Sequence, residues 1–258
     1  MGMKEITAEQ RRDDILKEIQ TKGKIRVSEL SRKFHISDVS IRNDLILLES
    51  LGKLNRVHGG AVDPNSLYGR MNSRERYNTN VSAKKALAEK VADLIDDNDT
   101  VMMNAGTTLT YVLRALRRKK NISIVTNSIQ NASEINQFPA FNVTLLGGQI
   151  DSRYQFTYGN DTILQLKNYH AHKCILSLDG ISVRSGLSLY YTNEALTIQA
   201  MMDLSDTVIV AADASKLGRE TFTHVAPVSK MDILVTNRSD KNEEIEALRE
   251  KGITIYEA

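Results

Sequence analysis

Two residues, His35 and Ile36, separate two short amphipathic stretches, and they leave room for nothing but a tight turn. Before them, Ser28 precedes Glu29, Leu30 and Phe34, so a serine cap is expected to open a helix whose apolar residues sit four apart. After them, Ser37 is expected to cap a second helix in which Ile41, Leu45 and Leu48 follow i, i+4, i+7 spacing and face inward. Upstream, Ile15, Leu16 and Ile19 supply one more stripe, which completes a three-helix core. Downstream, Gly52 is expected to end the second helix, residues 54–57 to extend, and Gly59-Gly60 to turn the chain as a small wing. This is the layout of a winged helix-turn-helix. Ser37, Asp38, Ser40, Arg42 and Asn43 form a polar surface at the start of its second helix, the part of a recognition helix that reaches base edges in the major groove.

The run from Arg12 through Gly60 resembles the DeoR family of bacterial transcription regulators. The matching residues are Ser37, Ser40-Ile41-Arg42, Asp44-Leu45 and Arg56-Val57-His58-Gly59-Gly60. Two positions depart from the family's usual pattern: Ser40 stands for threonine and Asn43 for a second basic residue. Asparagine cannot neutralise a phosphate, but it can hydrogen-bond to adenine or to the DNA backbone. The resemblance implies that Ser37, Ser40, Arg42, Asn43, Arg56 and His58 contact double-stranded operator DNA. Arg42 and Arg56 also have a plainer reading, as partners of Asp44 or Glu49 on a helix surface.

A chain of 258 residues suits two domains. The expected division is a winged helix-turn-helix over residues 1–62, a linker over 63–82, and a larger effector-binding and oligomerisation domain over 83–258. The linker is polar with some helix, contains Pro64 and Gly69, and sets Arg70, Arg74 and Arg76 against Glu75. Its arginines have the readings of pairing with acidic residues or approaching the DNA backbone, and the plainer one of a solvated linker, which is preferred. A net charge of +2 excludes a nonspecific polycation, although basic residues such as Arg11, Arg12, Arg32 and Lys33 lie where DNA would need them. The single cysteine, Cys174, excludes an internal disulfide and a cysteine zinc cluster, and its apolar surroundings predict a buried strand residue. The charged start of the chain and the lack of an apolar run of spanning length predict a soluble, cytoplasmic protein with no membrane contact.

From Ser82, taken as a cap, helices alternate with short apolar strands at 100–103, 122–126, 141–146, 174–178, 208–212, 233–236 and 253–256. Such alternation predicts an α/β domain with a mainly parallel sheet covered on both faces. Sheets of this kind bind ligands beyond the carboxyl ends of their strands. Small polar residues collect at those ends: Asn104, Gly106, Thr107 and Thr108; Asn127; Gly147 and Gly148; Asp179; and Lys216, with Glu194 at a helix start. Gly106-Thr107-Thr108 opening a helix offers backbone N–H groups and a dipole end to an anion. Lys216 is the cation of the set, and all five strand ends are expected to converge on one pocket.

Residues 83–258 are similar to the C-terminal sensor domain of the same family, which shares its fold with ribose-5-phosphate isomerase. The matching motifs are Gly106-Thr107-Thr108, Thr126-Asn127, Gly147-Gly148, Asp179-Gly180-Ile181, Asn193-Glu194 and Asp213-Ala214-Ser215-Lys216, with Asn104 where the family usually has aspartate. This similarity implies a repressor of a carbohydrate operon, a phosphorylated sugar as effector, and a homodimer or homotetramer. A rival reading is an isomerase, since Asp179, Glu194 and Lys216 can move protons, but fold kinship does not establish activity. The expectation is no catalytic residue, no cofactor and no metal; His170 and His172, two apart, make a poor helical metal pair and read as packing or surface residues.

Overall fold

The computed structural model describes residues 7–22, 24–51, 53–57, 59–62, 71–135, 141–238 and 241–258. It divides into two units, Met1–Met71 and Asn72–Ala258. In the smaller unit, helices α1 (Ala8–Lys22), α2 (Val27–Phe34) and α3 (Asp38–Ser50) bury Ile15, Ile19, Leu30, Ile41, Leu45 and Leu48 in one core. His35 ends α2 in the left-handed conformation, with φ 54°. Ser37 caps α3 as expected, its Oγ accepting the Ser40 N–H at 3.2 Å.

Ser28 does not cap α2. The helix starts one residue earlier, at Val27, directly off strand β1 (Lys24–Arg26), and no side chain caps it. The Val27 N–H donates instead to the Gly59 carbonyl at 2.9 Å, so wing backbone satisfies a helix-end donor from that side. The wing strands are β2 (Asn55–Val57) and β3 (Gly60–Val62), and β3 lies between β1 and β2 with antiparallel pairing. A Cβ at Gly60 would stand 2.1 Å from the Ile25 carbonyl oxygen, so this crossing requires glycine. α3 closes at Ser50; Gly52 and His58 lie outside the described residues. Inside the unit, buried Asp44 accepts from Arg11 Nε at 2.6 Å and Arg12 Nε at 3.1 Å.

The larger unit begins before the expected boundary. Asn72 and Glu75 form a capping box that starts α4 (Ser73–Tyr77), and α5 (Val81–Asp93) follows from Asn80 in the left-handed conformation, without Ser82 as its cap. Residues 72–82 are therefore part of the folded unit, and Arg76 is buried rather than solvated. Then come β4 (Thr100–Met103), α6 (Thr107–Leu116), β5 (Ser123–Thr126), α7 (Ile129–Ile135), β6 (Asn142–Leu145) and the hairpin β7 (Gln149–Asp151) and β8 (Phe156–Tyr158). They are followed by α8 (Asn160–Leu166), β9 (Ala171–Leu176), β10 (Gly180–Ser182), β11 (Gly186–Leu189), α9 (Ala195–Asp203), β12 (Ser205–Ala211), β13 (Thr223–Ala226), β14 (Ile233–Thr236), α10 (Asn242–Glu250) and β15 (Thr254–Glu257).

The main sheet has the order β15-β14-β12-β9-β4-β5-β6, with every pairing parallel. Alternate residues of a strand enter opposite cores: Cys174 and Leu176 pack with α9, while Ile175 packs with α5 and α6. Cys174 is buried as expected, and burial pushes its thiol pKa up. Among the described residues no helix is long and apolar enough to cross a membrane.

Replacing Asp44 by alanine should destabilise the smaller unit by about 1–3 kcal/mol, between the values for exposed and fully buried ion pairs. Ser37→Ala should cost about 1 kcal/mol through the lost cap. Urea unfolding of the full chain, followed by hydrogen exchange in α1 and α3, measures both. If the smaller effect belongs to Asp44, the carboxylate is not what clamps α1 to α3.

Candidate functional site

β4 and β9 are neighbours in the sheet, yet the chain leaves β4 toward β5 and leaves β9 toward β12. The connections diverge at the carboxyl ends of these two strands, where sheets of this kind place a crevice. The Asn104 side chain spans it: Oδ1 accepts from Ser177 N at 2.8 Å, and Nδ2 donates to the carbonyls of Ser177 and Ala105, each at 3.1 Å. Asn104 therefore staples the two strand ends together and its amide is committed to backbone, whereas an aspartate could make no such donation. Gly106 sits at the same approach, where a Cβ would lie 2.5 Å from Ser177 Cβ.

Glu194, Asn127 and Asp179 meet over this staple. Glu194, at the start of α9, is fully buried and its Oε1 accepts from Ala105 N at 2.9 Å and Asn127 Nδ2 at 3.1 Å. Its Oε2 and the Asn127 Oδ1 meet no hydrogen-bond partner among the described residues. Burial raises the Glu194 pKa to about 7, opposed by the donations from Ala105 and Asn127 and reinforced by the charge of Asp179. Asp179 accepts from Arg76 Nη1 at 3.2 Å and from Tyr190 N at 3.1 Å.

The cations lie beside this carboxylate pair. Lys216 is buried on the turn after β12, where burial lowers its pKa to about 8 against the raising influence of Asp213 and Asp179. Lys84, on α5, is buried too and lowered to about 8 by burial. Its Nζ donates to Thr107 Oγ1 at 2.9 Å and to the Arg76 carbonyl. The Arg76 guanidinium packs over the rings of Tyr154, Tyr191 and Tyr190 at 4.8, 5.5 and 5.7 Å.

Sequence reasoning missed Arg76 and Lys84. The missed signal for Lys84 was its place on the stripe of Leu87, Ala88 and Val91, where a lysine has no business being apolar. Convergence is narrower than expected. The ends of β4, β5, β9 and β12 meet, but Gly147 and Gly148 do not join them. The Gly147 N–H donates to Gln165 and its carbonyl accepts from Thr162, which ties that turn to α8. Thr108 is buried in the first turn of α6.

On the smaller unit, Ser37, Arg42, Asn43 and Arg56 are exposed and Ser40 is half-buried. Arg56 pairs with Glu49 at 2.6 Å, the plainer of its two readings. Asp44 is occupied by Arg11 and Arg12, so Arg42 has no ion pair among the described residues. Arg11 and Arg12, counted from the sequence as positioned for DNA, are thus engaged in holding the fold.

A winged helix-turn-helix followed by a parallel α/β unit with a buried polar cluster at its switch point is an architecture of transcriptional regulators. The model of the DeoR-like helix-turn-helix domain matches residues 11–66, and that of the DeoR C terminal sensor domain matches residues 79–238. The chain belongs to the DeoR family of DNA-binding transcriptional regulators. The HTH-type regulator YulB of Bacillus subtilis is 32% identical, with 95% of each chain covered. The lactose phosphotransferase system repressor of Streptococcus mutans is 31% identical over 90% of this chain and 93% of that one. The putative aga operon transcriptional repressor of Escherichia coli O157:H7 is 26% identical over 98% and 96%. Among solved structures, ribose 5-phosphate isomerase from Plasmodium falciparum is 20% identical over 52% of each chain at TM-score 0.40, which says nothing of what this chain does.

Glu194 gives the site a pH signature. Between its ordinary value of 4.5 and about 7, the folded protein holds a proton that the unfolded chain has lost, so this group makes stability fall as pH rises through that window. Glu194→Gln should remove that contribution, up to about 3 kcal/mol, and leave stability below the window little changed. Unfolding free energies of both proteins from acid to neutral pH check this; parallel curves would mean that Glu194 ionises normally.

Proposed function

We propose that this protein represses carbohydrate-metabolism genes in the cytoplasm by binding operator DNA as a homodimer or homotetramer, and that a phosphorylated sugar or related metabolite relieves the repression. The observation carrying the ligand half is that buried Lys84 bonds to Thr107 in the first turn of α6, behind the close-approach Gly106, while buried Lys216 and Lys84 both face Asp213. Desolvated cations beside a helix N-terminus suit a phosphate. The Glu194 Oε2 and Asn127 Oδ1 acceptors suit donors such as sugar hydroxyls. The names of the Streptococcus and Escherichia relatives support the carbohydrate context. Relief of repression requires that the effector prefer an arrangement other than the DNA-competent one.

A second reading rests on Glu194, whose pKa near 7 matches that of a general base. Incubation with sugar phosphates separates the two: a rise in melting temperature without isomerised product fits a sensor, and turnover fits an enzyme.

On DNA, Arg42→Ala should weaken operator binding by about 1–3 kcal/mol if the guanidinium reads a base, with specificity relaxed at that base pair. Titrations against the DNA flanking the protein's own gene and against random DNA test this, and unchanged affinity for both removes Arg42 from the interface. For the ligand, Lys216→Ala should raise the dissociation constant of the responsive sugar phosphate roughly tenfold to a hundredfold, with operator affinity in its absence little changed. A wild-type dose response from this variant would place the phosphate elsewhere.

A further inference from the structure

The stretch from Asn72 to Lys84 comes first in the larger unit, and the covalent chain joins it to the winged helix-turn-helix. It is fastened to the crevice at three points, one on each of three different strand ends. Arg76 Nη1 donates to Asp179 Oδ1 after β9, at 3.2 Å with both side chains almost fully buried. Asn80 Nδ2 donates to Asp213 Oδ1 after β12, at 3.3 Å. Lys84 Nζ donates to Thr107 Oγ1 after β4, at 2.9 Å, and also reaches back to the Arg76 carbonyl at the end of α4. Two of these partners, Asp179 and Asp213, are carboxylates that also face Lys216.

A ligand phosphate would enter this cluster as another anion. It would compete with Asp179 and Asp213 for the same cations, and with the Arg76 carbonyl for the Lys84 ammonium. A lysine has three N–H donors, and those turned toward a phosphate at the start of α6 are no longer available to hold α4.

We propose that Arg76 and Lys84 belong to the ligand site and that residues 72–84, which Asn80 fastens without touching the ligand, are its moving element: an anion bound near Lys84, Lys216 and the start of α6 loosens this strap, and the strap hands the change to the segment leading to the DNA-binding unit. This inference rests on the reading of the crevice as a phosphate site. It adds the coupling element and a direction of change, since the occupied site holds the strap less tightly than the empty one.

The test uses the full chain with inorganic phosphate as the probe, against chloride at matched ionic strength, and reads melting temperature and peptide-resolved hydrogen exchange together. Phosphate should raise the melting temperature while residues 72–84 exchange roughly tenfold faster, the weight of about one lost hydrogen bond in a local opening equilibrium. Strand β12 should not follow. Asn80→Ala, which removes a fastening without removing a charge, should speed exchange in the strap without phosphate and keep the melting response. Lys84→Met should abolish the effect of phosphate on the strap; should that variant fold poorly, the Asn80 variant carries the test. If phosphate raises the melting temperature but the strap stays unchanged or becomes better protected, the coupling is wrong and the phosphate site stands. An Asn80→Ala strap that exchanges as in the wild type also overturns the coupling. No melting response to phosphate overturns the coupling and the phosphate site together.

Discussion

The divergence of the chain beyond the carboxyl ends of β4 and β9 is the feature on which the rest of the larger unit depends. Parallel neighbours whose connections run to opposite sides of the sheet leave backbone at their carboxyl ends with no strand beside it. Buried N–H and C=O groups left that way are costly, so something must bond to them. Asn104 does so with one side chain, accepting from and donating to the backbone of Ser177 much as another strand residue would. Its contact brings the two loops so close that only glycine fits at position 106. With the strand ends held, the Ala105 N–H points at Glu194 and the first turn of α6 meets Lys84. The polar cluster is a consequence of this closure.

What the closure gathers is expensive to keep. Arg76, Lys84 and Lys216 lie buried with Asp179, Asp213 and Glu194. Taking such groups from water costs several kcal/mol each unless charge and hydrogen bonds offset it, and well-packed apolar residues of similar volume are often at least as stable. Retention of the cluster is thus poorly explained by stability alone. On the proposed reading a binding site accounts for it, because cations already stripped of water and held in place lose little more when an anion arrives. The same burial lowers the pKa of both lysines and raises that of Glu194.

Local features were legible in the sequence and long-range ones were not. The cap at Ser37 and the Ile41, Leu45, Leu48 stripe are set within one helix, so spacing alone found them. Strand β4 is bounded by its own apolar run and fell where expected. The start of α2 was misplaced because its first N–H is satisfied by Gly59, 32 positions downstream of Val27, and not by a neighbouring serine. β1 has three residues, too few for a period-two signal. Arg76 read as solvated because its partner Asp179 is 103 positions away. Lys84 was the exception, since a lysine on an apolar stripe announces a buried polar partner even when the partner cannot be named. Gly147-Gly148 misled for the opposite reason: a glycine pair after a strand signals a tight turn, and here the turn serves α8.

The same accounting of partners bears on how the smaller unit meets DNA. Arg11 and Arg12 are held by Asp44, Lys33 by Glu18 and Arg56 by Glu49. Arg11 and Arg12, held on the buried Asp44, are less available to neutralise phosphates, whereas the surface pairs of Lys33 and Arg56 are weak, and phosphate neutralisation supplies most nonspecific affinity. Besides exposed Arg26, Arg32 and Lys53, the unit offers the exposed start of α3, where Ser37, Arg42 and Asn43 stand clear of ion pairs among the described residues. On the proposed reading, one copy would then hold DNA weakly and discriminate by base edges more than by charge. Useful occupancy would come from a second copy on an adjoining half-site, through effective concentration. A change in how two copies present their recognition helices would then suffice to release the operator, without any change at the residues that read it.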